Sequence, residues 1–316
     1  MLNPVLKLII QIFIILITAP LVSGIIRKIK ARTQHRVGAP VLQLYFDIIK
    51  LFKKEVVVSE NASWIFRATP YIYFTSMLIA AICIPAVPQL FSFNFMSDAI
   101  LAVYLFAIGR FFMTLSSLDT GSTFGGMGAS RELMISSLIE PSLIVTIFTI
   151  GLSNLVKSTG LKAIYEGSLN AHFGLFSPVY VLLFASMILI LLAETARIPV
   201  DDPATHLELT MVHEAMILEY SGRHLALMHL AAAMKQLLLI TLIINIFIPF
   251  GASLELGIGL VISLCLYIVK VAAVAVLIGL IEINTVKLRL FSVPNIAAIS
   301  FILAVLGFMS SMVLGR

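Results

Sequence analysis

SPVYVLLFASMILILLAETARIPVDDP, residues 177–203, is the stretch whose reading decides the fold. Residues 177–193 carry no charge, and then Glu194, Arg197, Asp201 and Asp202 follow within a few positions. An uncharged apolar run of this kind is long enough to cross a hydrocarbon layer of about 30 Å as a helix. A barrel strand would alternate polar and apolar residues over only about 10 positions, and this run does not alternate. Pro199 and Pro203 then end the helix, because proline lacks the N–H that continues it.

The same pattern recurs along the chain. Apolar segments lie at about 5–26, 70–91, 98–118, 134–156, 177–197, 225–250, 257–281 and 295–314. The expectation is an all-α fold: a polytopic membrane protein with eight transmembrane helices, forming a single transmembrane domain over 1–316. Composition agrees. Of 316 residues, 60% are hydrophobic and 12% charged, against about 25% charged in soluble proteins. The first span follows only Lys7 and is itself followed by a positive cluster, so it reads as an anchor rather than a cleaved signal. Cys83 and Cys265 both sit in apolar runs, which argues against a disulfide framework or a Cys-rich cluster site.

Eight spans put both termini on one side. With them outside, the cytoplasmic loops are 27–69, 119–133, 198–224 and 282–294, and these, with Arg197 at the edge, hold 14 of the 21 basic residues against 4 outside. This is a positive-inside asymmetry. The expected location is a prokaryotic cytoplasmic (inner) membrane, in contact with lipid. The net charge of +5 is then an orientation signal, and no basic domain exists to hold nucleic acid. In VLQLYFDIIKLFKK (41–54), Gln43, Asp47, Lys50 and Lys54 recur at spacings of 4, 3 and 4 among apolar residues. That pattern predicts an amphipathic helix lying along the cytoplasmic interface.

Charges inside or at the ends of spans are the candidate working parts. Arg110, Glu140, Lys235 and Lys270 fall within spans, with Glu194 and Glu282 at span ends. Each costs about 2.5–3.5 kcal/mol to insert and so marks either an ion pathway or a paired contact between helices. Glu140 precedes Pro141, which frees the Ser137 carbonyl and favours a kink where polar groups can gather; a nearby lysine would tune its acidity. Glu194 and Arg197 are three apart and are expected to pair. A chain of carboxyls continues through Asp201, Asp202, Glu208, Glu214 and Glu219; a helix over 204–220 would set Glu208 and Glu219 within about 20° of one face and about 16 Å apart. The Met, Leu and Ile content of this loop suggests burial under a partner protein. His206, His213, His224 and His229 lack the spacing of a metal-ligating motif. The loop LDTGSTFGGMGASRE (118–132) has no Lys-Ser/Thr pair after its glycines, so it reads as a tight loop allowing close backbone approach to a neighbour, with Ser130 as N-cap and Arg131 and Glu132 available to contact that neighbour.

Several segments together resemble the subunit 1 membrane proteins of complex I and their relatives in formate hydrogenlyase and energy-converting membrane-bound hydrogenases. The motifs are Arg36-Val37-Gly38 leading into LQLYFDIIKLFKK, Arg67 with Thr69-Pro70-Tyr71, Glu140, the Glu194-x-x-Arg197-x-Pro199-x-Asp201 run, and Glu219-Tyr220-Ser221-Gly222. The glycine-rich loop and the Gly38-to-Gln43 spacing are more similar to the formate hydrogenlyase subunit 4 branch. The resemblance covers nearly the whole chain. It implies a heel subunit that docks cytoplasmic hydrogenase-like large and iron–sulfur subunits and adjoins antiporter-like membrane subunits. Buried carboxyls would then couple redox chemistry to proton or sodium movement, and by motif match Glu140, Glu194, Arg197, Asp201, Glu208 and Glu219 carry over. Arg36, Arg67, Arg110, Arg131, Glu132 and Arg197 are the expected ion-pairing or docking residues. The chain itself would be a non-catalytic oxidoreductase subunit with no cofactor. Its partners would hold iron–sulfur clusters, with nickel–iron where the partner is a hydrogenase.

Two departures from the family pattern stand out. Ala204 and His206 occupy positions where the family carries glutamates, and the stretch between Leu209 and Glu219 is about three residues longer than the complex I pattern. Both lie in the loop that faces the electron donor, which favours a specialised relative over a quinone-reducing NADH dehydrogenase subunit forming a quinone chamber. A stand-alone secondary transporter would show matched broken helices in two repeated halves, and Glu140-Pro141 has no counterpart in the second half. A passive anchor would not need the intramembrane charges.

Overall fold

The computed structural model describes residues 4–90, 98–152, 158–170, 177–201, 211–250, 258–288 and 292–314. Among them the secondary structure is helical: α1 (Pro4–Thr33), α2 (Gln43–Phe52), α3 (Trp64–Cys83), a 3-10 turn (Pro88–Leu90), α4 (Ala99–Asp119), α5 (Thr123–Leu152), α6 (Leu161–Asn170), α7 (Pro178–Glu194), α8 (His213–Ile217), α9 (Gly222–Phe247), α10 (Ile258–Asn284) and α11 (Val293–Leu314). Among the described residues, extended backbone pairs only at an isolated bridge between Asp98 and Gly160. Seven helices (α1, α3, α4, α5, α9, α10 and α11) are long and apolar enough to cross a membrane, and α7 is apolar but has 17 residues. The chain is thus an all-helical, multi-pass membrane protein.

Helix α9 is the central column. Its stretch from Ala233 to Phe247 is buried at every position, which is why an amphipathic stripe cannot be found in it: a helix that is apolar all round has no solvent face. Around it pack α1, α2, α3, α6, α7 and α10, while α4 lies on α3 and α11 covers α5 and α7. Helix α2 has apolar residues on two sides: Leu44 and Ile48 are buried, whereas Phe46, Ile49 and Phe52 are exposed. Gln43 donates to Asp47 one turn on, at 2.9 Å, and the Tyr45 hydroxyl donates to the Ile17 carbonyl of α1.

Several expected boundaries move for identifiable reasons. Helix α1 runs to Thr33 rather than 26, because Arg27–Arg32 are good helix formers and Lys30 and Arg32 favour the carbonyl end. The span expected from 134 starts at Thr123, so most of the 119–133 loop is helix. Ser130 lies inside it, its hydroxyl donating to the Met127 carbonyl instead of capping. Of the glycines, Gly128 serves close approach to a segment of the same chain: a Cβ on it would sit 2.9 Å from the Val212 carbonyl oxygen and 3.0 Å from Ala215 Cβ, whereas Gly121 has nothing within 4 Å. Helix α5 also continues through Pro141. The expected helix over 204–220 is not continuous, since residues 211, 212 and 218–221 lie outside α8 and α9. Helix α6 lies within an expected outer loop; Leu161, Ile164 and Tyr165, at helical spacing, form its buried face.

Candidate functional site

The site begins where α4 meets α3. A Cβ on Gly109 would sit 2.6 Å from Tyr73 Cδ2 and 2.9 Å from Ser76 Oγ, so only glycine lets α4 pack this closely. The next residue, Arg110, is 4% exposed. Its Nη2 lies 2.7 Å from both carboxylate oxygens of Glu194 on α7, its Nη1 lies 3.0 Å from Glu140, and its Nε lies 3.7 Å from Glu132, both on α5. From α9, Lys235, 5% exposed, places its Nζ 2.7 Å from the second oxygen of Glu194. Four helices thus bring two cations and three carboxylates together, leaving one formal negative charge. Glu194 and Glu132 are buried. The Glu140 side chain is 35% exposed, so the cluster opens there onto the lateral surface.

A second cluster adjoins the first around the end of α7. Ala196 adopts φ 47°, Arg197 N–H donates to Leu192 O at 2.9 Å and Ala196 N–H to Ala193 O at 3.3 Å. This is the double hydrogen bond that closes a helix through a left-handed residue. The turn sends Arg197 away from Glu194, so the expected pairing of these two gives way to different partners. Arg197 lies 3.3 Å from Glu282 on α10 and donates to Gln236 Oε1 at 3.0 Å. Ser23 of α1 donates to the same oxygen at 2.9 Å. Glu282 is also 3.9 Å from Lys30. Asp201 accepts from the Val212 N–H at 3.0 Å and pairs with Lys287 at 3.4 Å.

Between the clusters lies a cavity of about 90 Å³ lined by Glu194, Arg197, Asp201, His213, Glu214 and Lys235, among others. Its wall mixes these charged groups with apolar ones such as Leu44 and Ala233, and it is large enough for several waters held by the polar groups. Burial lowers the His213 imidazole below its usual value, Lys235 and His229 lower it further, and Glu214 and Asp201 oppose them. A larger cavity of about 760 Å³ shares Arg27, Arg197, Glu214 and His229 with the first, and adds Lys30, Arg36 and Glu282.

Of the sequence-derived candidates, the structure therefore unites Arg110, Glu132, Glu140, Glu194 and Lys235, and sets Arg197, Asp201, Glu214 and Glu282 beside them. The cation at Glu140 is an arginine, not the lysine expected. Arg36 lines the larger cavity. Arg131 donates to the Met211 carbonyl at 2.9 Å, so it anchors the segment before α8. Glu219 and Arg67 are exposed and stand apart from both clusters. Lys270 donates to the Ile248 carbonyl at 2.7 Å and to that of Phe250, which makes it a cap for the end of α9 rather than part of the carboxyl chain. Asp202 and Glu208 lie outside the described residues. Sequence reasoning passed over Gln236, Ser23, Lys30 and Lys287; a polar Gln236 next to Lys235 in an apolar span was the available signal.

An all-helical bundle with a charge network buried between its helices defines an integral membrane protein whose interior handles charge. The chain belongs to the NADH dehydrogenase family, which matches residues 6–313. It is 35% identical to formate hydrogenlyase subunit 4 of Escherichia coli (strain K12) over 95% of this chain and 96% of that one. It is also 35% identical to hydrogenase-4 component C of the same organism, over 94% and 92%. An NADH-quinone oxidoreductase subunit of Paraburkholderia xenovorans is 28% identical over 69% and 64%. The fold is shared with a chain of the membrane-bound sulfane sulfur reductase, an archaeal respiratory membrane complex, at a TM-score of 0.85 and 20% identity, covering 98% of this chain and 100% of that one. The protein is thus a membrane subunit related to those of hydrogenase and complex I-like complexes.

Proposed function

We propose that this chain is the heel subunit of a complex I-like hydrogenase complex, anchoring a cytoplasmic redox arm and coupling its electron transfer to proton or sodium movement. The observation that carries the reading is the buried Arg110 cluster. Three carboxylates against two cations leave one formal negative charge in a low-dielectric setting, and such a site gains from taking up one proton or monovalent cation. The cavity beside Glu194 offers an approach from the cytoplasmic side, and half-exposed Glu140 offers an exit toward a neighbouring membrane subunit of antiporter-like type. In this reading α7 crosses the membrane as the eighth span, the termini lie outside, and the cytoplasmic face bearing the 198–224 loop meets hydrogenase-like large and iron–sulfur subunits that hold the metal clusters. Glu214, on the wall of both cavities, extends the path toward them.

The test is ion-coupled turnover of the complex in sealed inverted vesicles carrying Glu194→Gln or Glu140→Gln. The expected result is an assembled complex with electron transfer retained and the ion gradient lost. A proton or sodium ionophore added to the parent distinguishes which ion moves. Full gradient formation in both variants would remove the carboxyl path.

A further inference from the structure

The larger cavity holds two arginines, Arg27 and Arg36, that the carboxyl path does not use. Among the described residues, four cations line it, Arg27, Lys30, Arg36 and Arg197, against the carboxylates of Glu214 and Glu282. The described lining thus carries two more positive than negative charges; Glu282 is engaged by Arg197 and Lys30, and Arg27 and Arg36, which are both exposed, face the cavity with Glu214 as the remaining carboxylate. Arg36 is held in place by its backbone. Its N–H donates to the Ala31 carbonyl at 2.8 Å, Lys28 Nζ donates to the Val37 carbonyl at 2.7 Å, and the chain then reverses at Gly38 with φ +63°. The rest of the wall is apolar, with Ile217, Leu218 and Leu225, and Leu218 is exposed at 48%. Helix α2, with exposed Phe46, Ile49 and Phe52, packs alongside between α1 and α9.

From this arrangement we infer that the cavity is a binding site for an anionic phospholipid. Arg27 and Arg36 grip the phosphodiester, and an acyl chain lies along Ile217, Leu218 and Leu225. The charge count selects the ligand: guanidinium groups match phosphate oxygens in paired hydrogen bonds, and basic pockets between membrane helices at the cytoplasmic surface suit anionic headgroups. The apolar wall selects a lipid over a free phosphate ester, because covering it contributes hydrophobic binding that a soluble ester lacks. Helix α2 sets the depth, since a helix with an exposed aromatic and aliphatic stripe lies at the headgroup boundary. The site does not depend on any carboxylate of the Arg110 cluster.

The experiment uses the whole complex, purified in mild detergent through a tag on this chain, stripped of lipid and titrated with fluorescent phosphatidylglycerol or phosphatidylcholine. Phosphatidylglycerol is expected to bind more tightly. Arg27→Gln with Arg36→Gln should weaken it about 25-fold, at roughly fivefold per charge, and leave phosphatidylcholine unchanged. Lys53→Gln with Lys54→Gln, exposed bases beyond α2 and outside the cavity, should bind as the parent does. Equal affinity for the two lipids, parent-like affinity in the arginine double variant, or an equal loss in the lysine variant would overturn the site. Displacement of the lipid by equimolar glycerol 3-phosphate would overturn the lipid as its occupant.

Discussion

Replacing Arg110 with Gln removes the cation that Glu132, Glu140 and Glu194 share and leaves Lys235 alone against three carboxylates. The cluster then carries two formal negative charges where it carried one. Breaking a buried ion pair from one side costs about 3–5 kcal/mol, because the partner's charge stays buried without compensation. Glu194 retains its 2.7 Å contact with Lys235, which holds the expected cost within that range. At about 2–4 °C per kcal/mol for a chain of this size, the melting midpoint should fall by roughly 6–20 °C. Cys83 is buried in α3 and Cys265 is exposed on α10, so in a Cys265→Ser background a thiol-reactive dye reports the opening of the bundle at Cys83. The double variant Arg110→Gln, Glu194→Gln returns the cluster to one negative charge and should recover more than half of the loss, a coupling of about 1–3 kcal/mol. A single variant within about 1 kcal/mol of the parent would refute the charge-balance reasoning, and so would a double variant that falls by the sum of the two singles.

The packing, the interhelical straps and the histidine give further expectations. Gly128→Val forces a side chain against Val212 and Ala215 and should destabilise by about 1–3 kcal/mol, with faster hydrogen exchange in residues 211–217 than in α9. Ser221 donates to the Val57 carbonyl and accepts from the Val57 N–H, both at 2.8 Å. Ser221→Ala should therefore cost about 1 kcal/mol and speed protease cleavage at Lys53 and Lys54, and unchanged cleavage would show that this strap is held elsewhere. His213 has a folded-state value below its ordinary 6.5, so the folded chain binds fewer protons there than the unfolded chain does. Its contribution to stability is complete above about pH 6.5 and is lost as pH falls through that value toward the folded one. The protection of α8 amides against hydrogen exchange, relative to their intrinsic rate at each pH, should fall on acidification, and His213→Gln should flatten that dependence.

The candidate site was partly legible because charge is scarce in this chain. Arg110, Glu140, Glu194 and Lys235 each interrupt an apolar run, and the insertion cost makes such residues informative one at a time. Their partners were not legible. The expectation that Glu194 pairs with Arg197 used helical spacing, and spacing lost its meaning once Ala196 turned the backbone. Likewise, the glycine-rich 121–128 stretch signals close approach, but only the packed structure shows that Gly128 makes it and that Val212, Ala215 and Met216 are the neighbour.

Sequence alone determined the phase in which this protein lives and the inventory of its buried charge, because both follow from the transfer of individual side chains between water and hydrocarbon. Apolar runs of about 20 residues must be helical to satisfy their backbone in lipid. Only the tertiary structure decided which charges meet. Arg110 reaches Glu194 across 84 positions and Arg197 reaches Glu282 across 85, distances over which no local periodicity acts. The close contact at Gly109, the turn at Ala196 and the central burial of α9 set those meetings, and they turn scattered ionisable residues into two adjoining clusters joined by a cavity.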